Sequence, residues 1–454
     1  MEATSYWPFW LLLIGIASVV LQIAVFRIHA FLALVLSAIL VGLLNPSEES
    51  SLVGAVELTM QKMGSVAGSI AFVIALASIL GVALTKSGAA EKIVLKFLSV
   101  FGEKFAALAL LLAGFILSIP VFFDTVFFLM IPIAYSMGKR FQSHYVFYVM
   151  AIAIGGVLTH CLVPPTPGPV IMAETMSINL GIAILAGALA CTLPAAITYF
   201  VSKRISSNME VKVPDMGDEP ESDEKNLPSF LVAILPIVIP ILLIVGASSM
   251  DFLKLGNETG WFKTTIEFAG NKNIAMLVGT CLALWILSKQ KGLSLSQIGK
   301  EFEKPLEIAG VIILITSAGG AFGAMIKETG ISGVIEDLSN QGVTINLVLL
   351  GWVISSVLKF AQGSGTVAMI TTSGIMVALI QSVDLAYHPI YIYLAIGFGS
   401  MTCSWMNDSA FWVVSKMSGF TQGQMLRTWT VTLAVMSVLG MAQALLLSWF
   451  LPLV

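Results

Sequence analysis

Two polar tips interrupt long apolar stretches of this chain, and both carry groups that can do chemistry. The first tip, Phe122-Phe123-Asp124-Thr125, offers a carboxylate, and the second, Gly363-Ser364-Gly365-Thr366, offers hydroxyls and backbone amides. A carboxylate surrounded by hydrocarbon is costly unless it lines a protein cavity. The two tips are therefore candidate functional sites, the first for exchange of a proton and the second for close contact with an anion.

Asp124 is the first candidate for ion coupling. Desolvation favours the protonated carboxyl, and an incoming anion favours it further, so proton binding and anion binding support each other. Such mutual dependence is what symport requires. The alternative is that Asp124 only caps the helix that follows it.

The second tip is a candidate substrate site. The hydroxyls of Ser364 and Thr366 can donate to an anion, and Gly363 and Gly365 allow its close approach to the backbone; packing of small residues between helices is the alternative. Thr125 occupies the place in the first tip that Thr366 occupies in the second and is expected to act in the same way. Lys359, just before the second tip, either attracts the anion or neutralises a buried carboxylate.

A second interruption follows each tip. Residues 164–169 contain four prolines and a glycine, which cannot form a continuous helix, and Ser404-Trp405-Met406-Asn407-Asp408-Ser409 breaks the other apolar stretch. The half-helices at such breaks point free N–H groups into a cavity, which suits an anionic substrate. From the first break we expect substrate contacts at Thr159, His160, Pro165, Thr166 and Gly168.

Three polar residues of these breaks have alternative roles. Asn407 and Asp408 can hold substrate hydroxyls or, at Asp408, a coupled ion, or they can cap the broken helix. His160 can shuttle a proton or donate to a substrate carboxylate, or it is a structural histidine. No second His, Cys or carboxylate lies at helical spacing beside His160, so we predict neither a metal site nor a cofactor.

Composition places the chain in the membrane. It has 454 residues, of which 57% are hydrophobic and only 11% charged, and its mean hydropathy is +0.94. A net charge of −3 without a basic block argues against nucleic acid as a partner. The four cysteines lack metal-ligand spacing and are expected to serve packing, with a disulfide between Cys161 and Cys403 left open.

Charge placement selects the topology. Residues 105–137 and 345–381 are each too long for one span, and both are interrupted in the middle. If both are re-entrant hairpins and the N-terminus is outside, most of the 23 Lys and Arg residues become cytoplasmic. We therefore predict two re-entrant hairpins and about ten transmembrane helices, with both termini outside. The predicted spans are residues 8–26, 29–44, 64–85, 145–172, 181–202, 229–247, 273–288, 307–326, 390–415 and 428–451.

The two halves of the chain also align with each other. Ala83–Lys86 matches Ala324–Lys327, Thr125 matches Thr366 and Thr159 matches Thr402, all at a nearly constant offset. The Pro-rich acidic segment between the halves, residues 202–228, is predicted to be a cytoplasmic linker. The predicted fold is an all-α polytopic membrane protein with two inverted repeats, residues 1–201 and 229–454.

The motifs PVFFDTVFFLMIPI, TH-x-x-x-PP-x-PGP, GSGTVA and NDSAFW resemble the gluconate permease (GntP) family of proton-coupled sugar-acid symporters. The resemblance implies membership of the wider ion transporter superfamily and an elevator-type mechanism, in which a transport domain slides against a dimeric scaffold. Residues 1–62 are then scaffold and residues 63–201 transport-domain elements. Thr166 stands where the family commonly has His, and Cys161 where Gly is usual, so the sugar acid stays open.

We therefore predict a bacterial inner-membrane transporter, not an enzyme, that imports gluconate or a related small hydroxylated monocarboxylate by proton symport. The alternatives are a Na⁺-coupled organic anion transporter, an anion channel, and an intramembrane enzyme that uses Asp124, His160, Ser364 and Asp408. Two inverted halves favour alternating access over the intramembrane enzyme, which has no need of two symmetric gates. The expected partners are a small anion, H⁺ or Na⁺, the lipid bilayer and a second copy of the chain.

Overall fold

The computed structural model describes residues 6–45, 52–140, 144–207, 209, 211–214, 226–252, 261–331, 334, 346–381, 383–406 and 408–453. Every regular element in these ranges is a helix, which confirms the predicted all-α class. Asn407 and, within the predicted linker, residues 208, 210 and 215–225 lie outside the described residues.

The first half contributes nine helices to the described ranges: α1 (Trp7–Val20), α2 (Ala30–Leu44), α3 (Leu52–Lys86), α4 (Ala89–Phe101), α5 (Ala106–Leu117), α6 (Phe123–Arg140), α7 (Tyr145–Leu162), α8 (Pro167–Thr175) and α9 (Leu180–Ser206). A π-helical turn, Leu21–Val25, extends α1.

The second half begins with α10 (Phe230–Phe252), α11 (Trp261–Gly270), α12 (Lys272–Lys291), α13 (Leu295–Lys300) and α14 (Glu303–Glu328). The described part continues with α15 (Leu347–Gln362), α16 (Gly365–Ile380), α17 (Ile390–Gly399), α18 (Ser409–Ser418), α19 (Gln422–Met425) and α20 (Val431–Phe450). A second π-helical turn, Leu426–Thr430, joins α19 to α20.

The helices are those of a multi-pass membrane protein. Seven helical stretches of the described chain are long and apolar enough to cross a membrane, and each overlaps a predicted span. The other three predicted spans correspond to the shorter apolar helices α1 and α2 and to the broken pair α17 and α18.

All four predicted interruptions are present. Ser118–Phe122 separates α5 from α6, and residues 163–166 separate α7 from α8. In the second half, Gly363 and Ser364 separate α15 from α16, and α17 ends at Gly399, well before α18 begins. Gly363 has a φ of +83°, a left-handed conformation that ends α15 and that glycine adopts without strain.

Two features of the first half differ from the expectation. Helix α4 lies in a stretch for which the sequence predicted no membrane span, because its apolar residues, including the buried Ile93 and Val94, occupy only one face. It meets the following helical segment at a bend of 112°. Helix α3 begins at Leu52, so the predicted boundary between scaffold and transport elements at residue 62 falls inside one continuous helix.

The centre of the molecule is formed by α7 and α17. Every residue of α7 except His160 is buried, and so are all ten residues of α17. The Tyr393 hydroxyl on α17 donates a hydrogen bond to the Leu162 carbonyl at the end of α7, at 2.9 Å. The two helices that precede the second interruptions therefore meet in the core.

All four cysteines are free thiols. Cys161 and Cys191 are buried, Cys403 is half-buried and Cys281 is exposed. The disulfide between Cys161 and Cys403 that the sequence left open is absent.

Gly155 lets α5 and α7 pack backbone against backbone, because a Cβ at this position would lie 2.0 Å from the Leu111 carbonyl oxygen. We predict that Gly155→Ala lowers the apparent melting temperature in detergent by at least about 5 °C, since the clash is with backbone and cannot be relieved by a rotamer change.

Gly64→Ala in the exposed part of α3 is the matched control, because a Cβ there meets no atom within 4 Å. Alanine is the better helix former, so this variant should melt at or above the wild-type temperature. Equal melting temperatures for the two variants would show that the close approach of α5 and α7 is not needed.

Candidate functional site

A cavity of about 260 Å³ lies where the two polar tips meet the break between α17 and α18, which we call the second break. From the first half its lining includes Asp124 and His160. From the second half it includes five other predicted residues: Lys359, Ser364, Gly365, Thr366 and Asp408. The fold thus brings seven of the sequence candidates to one place, although Asp124 and Asp408 are far apart in the chain.

The first tip presents Asp124 in the first turn of α6. Among the described residues the Asp124 carboxylate has no hydrogen-bond donor and no ion-pair partner within 4 Å. It nevertheless lies close enough to Asp408 and Lys359 to interact with both charges. Asp124 therefore lines the cavity with a carboxylate that has no partner among the described residues.

The second tip presents the N-terminus of α16. The Ser364 hydroxyl accepts a hydrogen bond from the Val367 amide at 3.3 Å and so caps the helix. Gly365 and Thr366 are the first two residues of α16, where backbone N–H groups have no acceptor within the helix. These amides and the positive end of the helix dipole lie at the cavity wall and suit a carboxylate.

A buried ion pair joins the second tip to the second break. The Lys359 ammonium on α15 donates to Asp408 Oδ2 at 2.6 Å and to the Gly363 carbonyl at 2.7 Å. Lys359 is 4% exposed and Asp408 6% exposed. Of the two roles that the sequence left open for Lys359, neutralisation of a buried carboxylate is the one that this geometry displays.

Asp408 has a donor for both carboxylate oxygens. Its Oδ1 accepts from the Ala410 amide at 3.0 Å and caps α18, which is the alternative role that the sequence left open for Asp408. Its Oδ2 accepts from Lys359 and from the Ser404 hydroxyl. A carboxylate with three donors is stabilised in its charged form. The two acidic residues of the cavity therefore have opposite surroundings.

His160 is the exception to the buried face of α7 and reaches the cavity. Its Nδ1 is buried and has no hydrogen-bond partner in the described part of the protein. Its ring lies 6.2 Å from the Phe122 ring of the first tip. The Nδ1 atom of His160 is therefore free to accept a hydrogen bond or to bind a proton.

Six other predicted residues do not line the cavity: Thr125, Thr159, Pro165, Thr166, Gly168 and Gly363. The Thr159 hydroxyl donates to the Gly155 carbonyl within α7, and the Thr166 hydroxyl donates to the carbonyls of His160 and Val163. Both threonines are buried and hold the backbone of the first break. Thr125 and Gly363 belong to the two tips but are not among the residues that line the cavity.

The Pro-rich segment serves packing. Pro165 lines a separate apolar gap of about 10 Å³ beside Ile119 and Pro120. A Cβ on Gly168 would lie 2.3 Å from the Met369 methyl group, so Gly168 allows α8 to approach α16. The proline break therefore packs behind the cavity wall, and its residues 163–169 do not line the cavity.

Sequence reasoning missed Ser404 and Trp429 as site residues, and both line the cavity. Ser404 stands four residues before Asp408 in the second break, and this spacing was a usable signal. Trp429 lies in the π-helical turn Leu426–Thr430, which the apolar pattern of the last span conceals.

Comparison with known proteins now adds to this geometry. Residues 7–450 match the family described as GntP family permease. The chain is similar to the gluconate permease of Zymomonas mobilis, at 31% identity over 94% of this chain and 95% of the relative. It is also similar to the Gnt-II system L-idonate transporter of Escherichia coli, at 28% identity over 96% and 97%.

A solved structure shares the fold. The YdaH transporter of Alcanivorax borkumensis, described as having an unusual topology, aligns with a TM-score of 0.64 and 13% identity over 93% of this chain and 98% of that chain. The family match covers nearly all of the sequence. The chain belongs to the GntP family of permeases and is a membrane transport protein, not an enzyme.

Proposed function

We propose that this protein is a secondary active transporter of the bacterial inner membrane that imports gluconate or a related small hydroxylated monocarboxylate by proton symport. The relatives named for gluconate and L-idonate transport support the substrate class. A cavity of about 260 Å³ suits a small molecule. The observation that carries the proposal is the Asp124 carboxylate, which has no partner in the described part of the chain and lines the same cavity as the Lys359–Asp408 ion pair.

The site offers one place for a carboxylate and several for hydroxyls. The substrate carboxylate binds at the N-terminus of α16, near the amides of Gly365 and Thr366 and the Lys359 ammonium. An ammonium has three donors, and Lys359 uses two of them in its bonds to Asp408 and Gly363. The third serves the incoming anion.

Charge balance supports proton coupling at Asp124. Asp124, Asp408 and Lys359 together give the empty cavity one net negative charge. A bound monoanion alone would add a second negative charge in a poorly solvated space. Protonation of Asp124 removes this excess, so the loaded cavity carries the same charge as the empty one. Asp408, with three donors, keeps its charge and positions Lys359.

We also propose an elevator-type alternating-access mechanism with two inverted repeats, residues 1–201 and 229–454, in a homodimer with both termini outside. The offset between the halves of the sequence and the family resemblance support this part. The paired tips then act as the two gates of the cavity.

Asp124→Asn tests the coupling role. In proteoliposomes, an inward proton gradient should drive accumulation of labelled gluconate by the wild type and not by the variant, because an amide cannot carry the proton. The variant should still exchange gluconate across the membrane when no proton gradient is applied. Asp124→Glu is the control and should keep some proton-driven uptake. Undiminished proton-driven accumulation in Asp124→Asn would remove Asp124 from the mechanism.

The Lys359–Asp408 pair is tested by single and double variants. Lys359→Met leaves a buried carboxylate without its cation, and we expect it to destabilise the protein by about 3–5 kcal/mol. The double variant Lys359→Met with Asp408→Asn should recover most of the melting temperature but not gluconate uptake, because the anion has lost its cation. Wild-type uptake by the folded double variant would contradict a role for Lys359 in anion binding.

A further inference from the structure

Trp429 connects the two tips of the cavity. Its side chain is 1% exposed and lines the cavity from the π-helical turn Leu426–Thr430. Its ring centroid lies 5.6 Å from that of Phe123 at the first tip. Its indole N–H donates to the Ser404 hydroxyl at 2.7 Å. One side chain therefore touches the first tip directly and the second break through a hydrogen bond.

The hydrogen bond fixes the direction of the Ser404 proton. An indole N–H can only donate and a carboxylate can only accept, so the Ser404 hydroxyl must direct its own hydrogen to Asp408. Asp408 in turn holds the Lys359 ammonium, which donates to the Gly363 carbonyl at the second tip. A continuous chain of hydrogen bonds, in which Ser404 and Lys359 both donate to Asp408, thus links Trp429 to the second tip.

Phe123, at the first tip, is also confined by its neighbours. A Cβ on Gly156 of α7 would lie 2.8 Å from the Phe123 ring, so Phe123 is held between α7 and Trp429. Ser404 is fixed by a further hydrogen bond, because its carbonyl oxygen accepts from the Thr430 hydroxyl at 2.6 Å. π-Helical turns are rare and occur frequently at functional sites, where they redirect a side chain.

We infer that Trp429 is a positioning residue for transport, which holds the first tip through Phe123 and orients Lys359 at the second tip through Ser404 and Asp408. The inference rests on the proposed function, because Lys359 is oriented there for the substrate anion. Trp429 sets the separation of the tips and the direction of the free ammonium donor.

Trp429→Phe keeps the ring on Phe123 and removes the N–H. In proteoliposomes we expect the KM for gluconate to rise about tenfold, with the maximal rate within about twofold of wild type. Ser404→Ala should have the same effect, and the double variant should be no worse than either single variant, because both changes break one chain. Ser404→Ala also serves as the second variant if Trp429→Phe does not fold.

Trp352→Phe is the matched control. The Trp352 indole also donates to a serine hydroxyl, that of Ser437, at 2.9 Å, and neither residue lines the cavity. This variant should keep the wild-type KM even if its melting temperature falls. A merely structural role for Trp429 would instead lower the melting temperature and leave the KM unchanged.

A second readout needs no substrate. Cys161 lines the cavity and is 4% exposed, so its labelling by a small thiol reagent reports how firmly the tips cover it. In a background with Cys191, Cys281 and Cys403 replaced by alanine, Trp429→Phe should label about fivefold faster than Trp352→Phe.

The two readouts separate the two proposals. A wild-type protein that takes up no sugar acid would refute the proposed function, and labelling of Cys161 would still decide whether Trp429 holds the tips. If Trp429→Phe and Trp352→Phe label at equal rates, or share the wild-type KM in a protein that transports, the inference is overturned.

Discussion

The buried ion pair between Lys359 and Asp408 is the interaction on which the site depends. Two charges that are less than a tenth exposed are tolerated only with close geometry and further donors, and both conditions hold here. The pair ties the arm of the second tip to the second break. It also satisfies the Asp408 carboxylate, so that Asp124 is left as the acidic group with free oxygens in the cavity.

Most of the fold was predictable because breaks in apolar helices have local causes. The prolines after His160 and the left-handed Gly363 are visible in the sequence, and the structure has an interruption at each place. Helix α4 was not predicted because it is amphipathic, and its lysines lower the hydropathy on which a search for membrane spans depends. The length of α3 was underestimated because polar residues such as Glu57 and Lys62 hide its first turns.

Residues of the candidate site were predictable where a polar side chain is energetically costly in an apolar segment. They were less predictable where the role of a residue depends on a partner that is distant in the sequence. Asp124 stands out in any apolar context. Lys359 had two open roles because its partner lies 49 residues away, at a distance that only the fold reveals. Thr166 and Gly168 belong to a conspicuous motif, but their contacts are with backbone and with α16. Trp429 gave no signal because its hydrogen bond to Ser404 is tertiary.

The central claim is that a proton on Asp124 cancels the charge of the substrate carboxylate, so that one proton and one monoanion cross together. Its most direct test is the accumulation of gluconate in proteoliposomes under a potassium–valinomycin potential, with and without a pH gradient and in the absence of sodium. The account predicts that an inward proton gradient drives accumulation of gluconate and that an inside-negative potential alone neither drives nor opposes accumulation. Accumulation that follows the potential, or uptake that needs sodium, would contradict it.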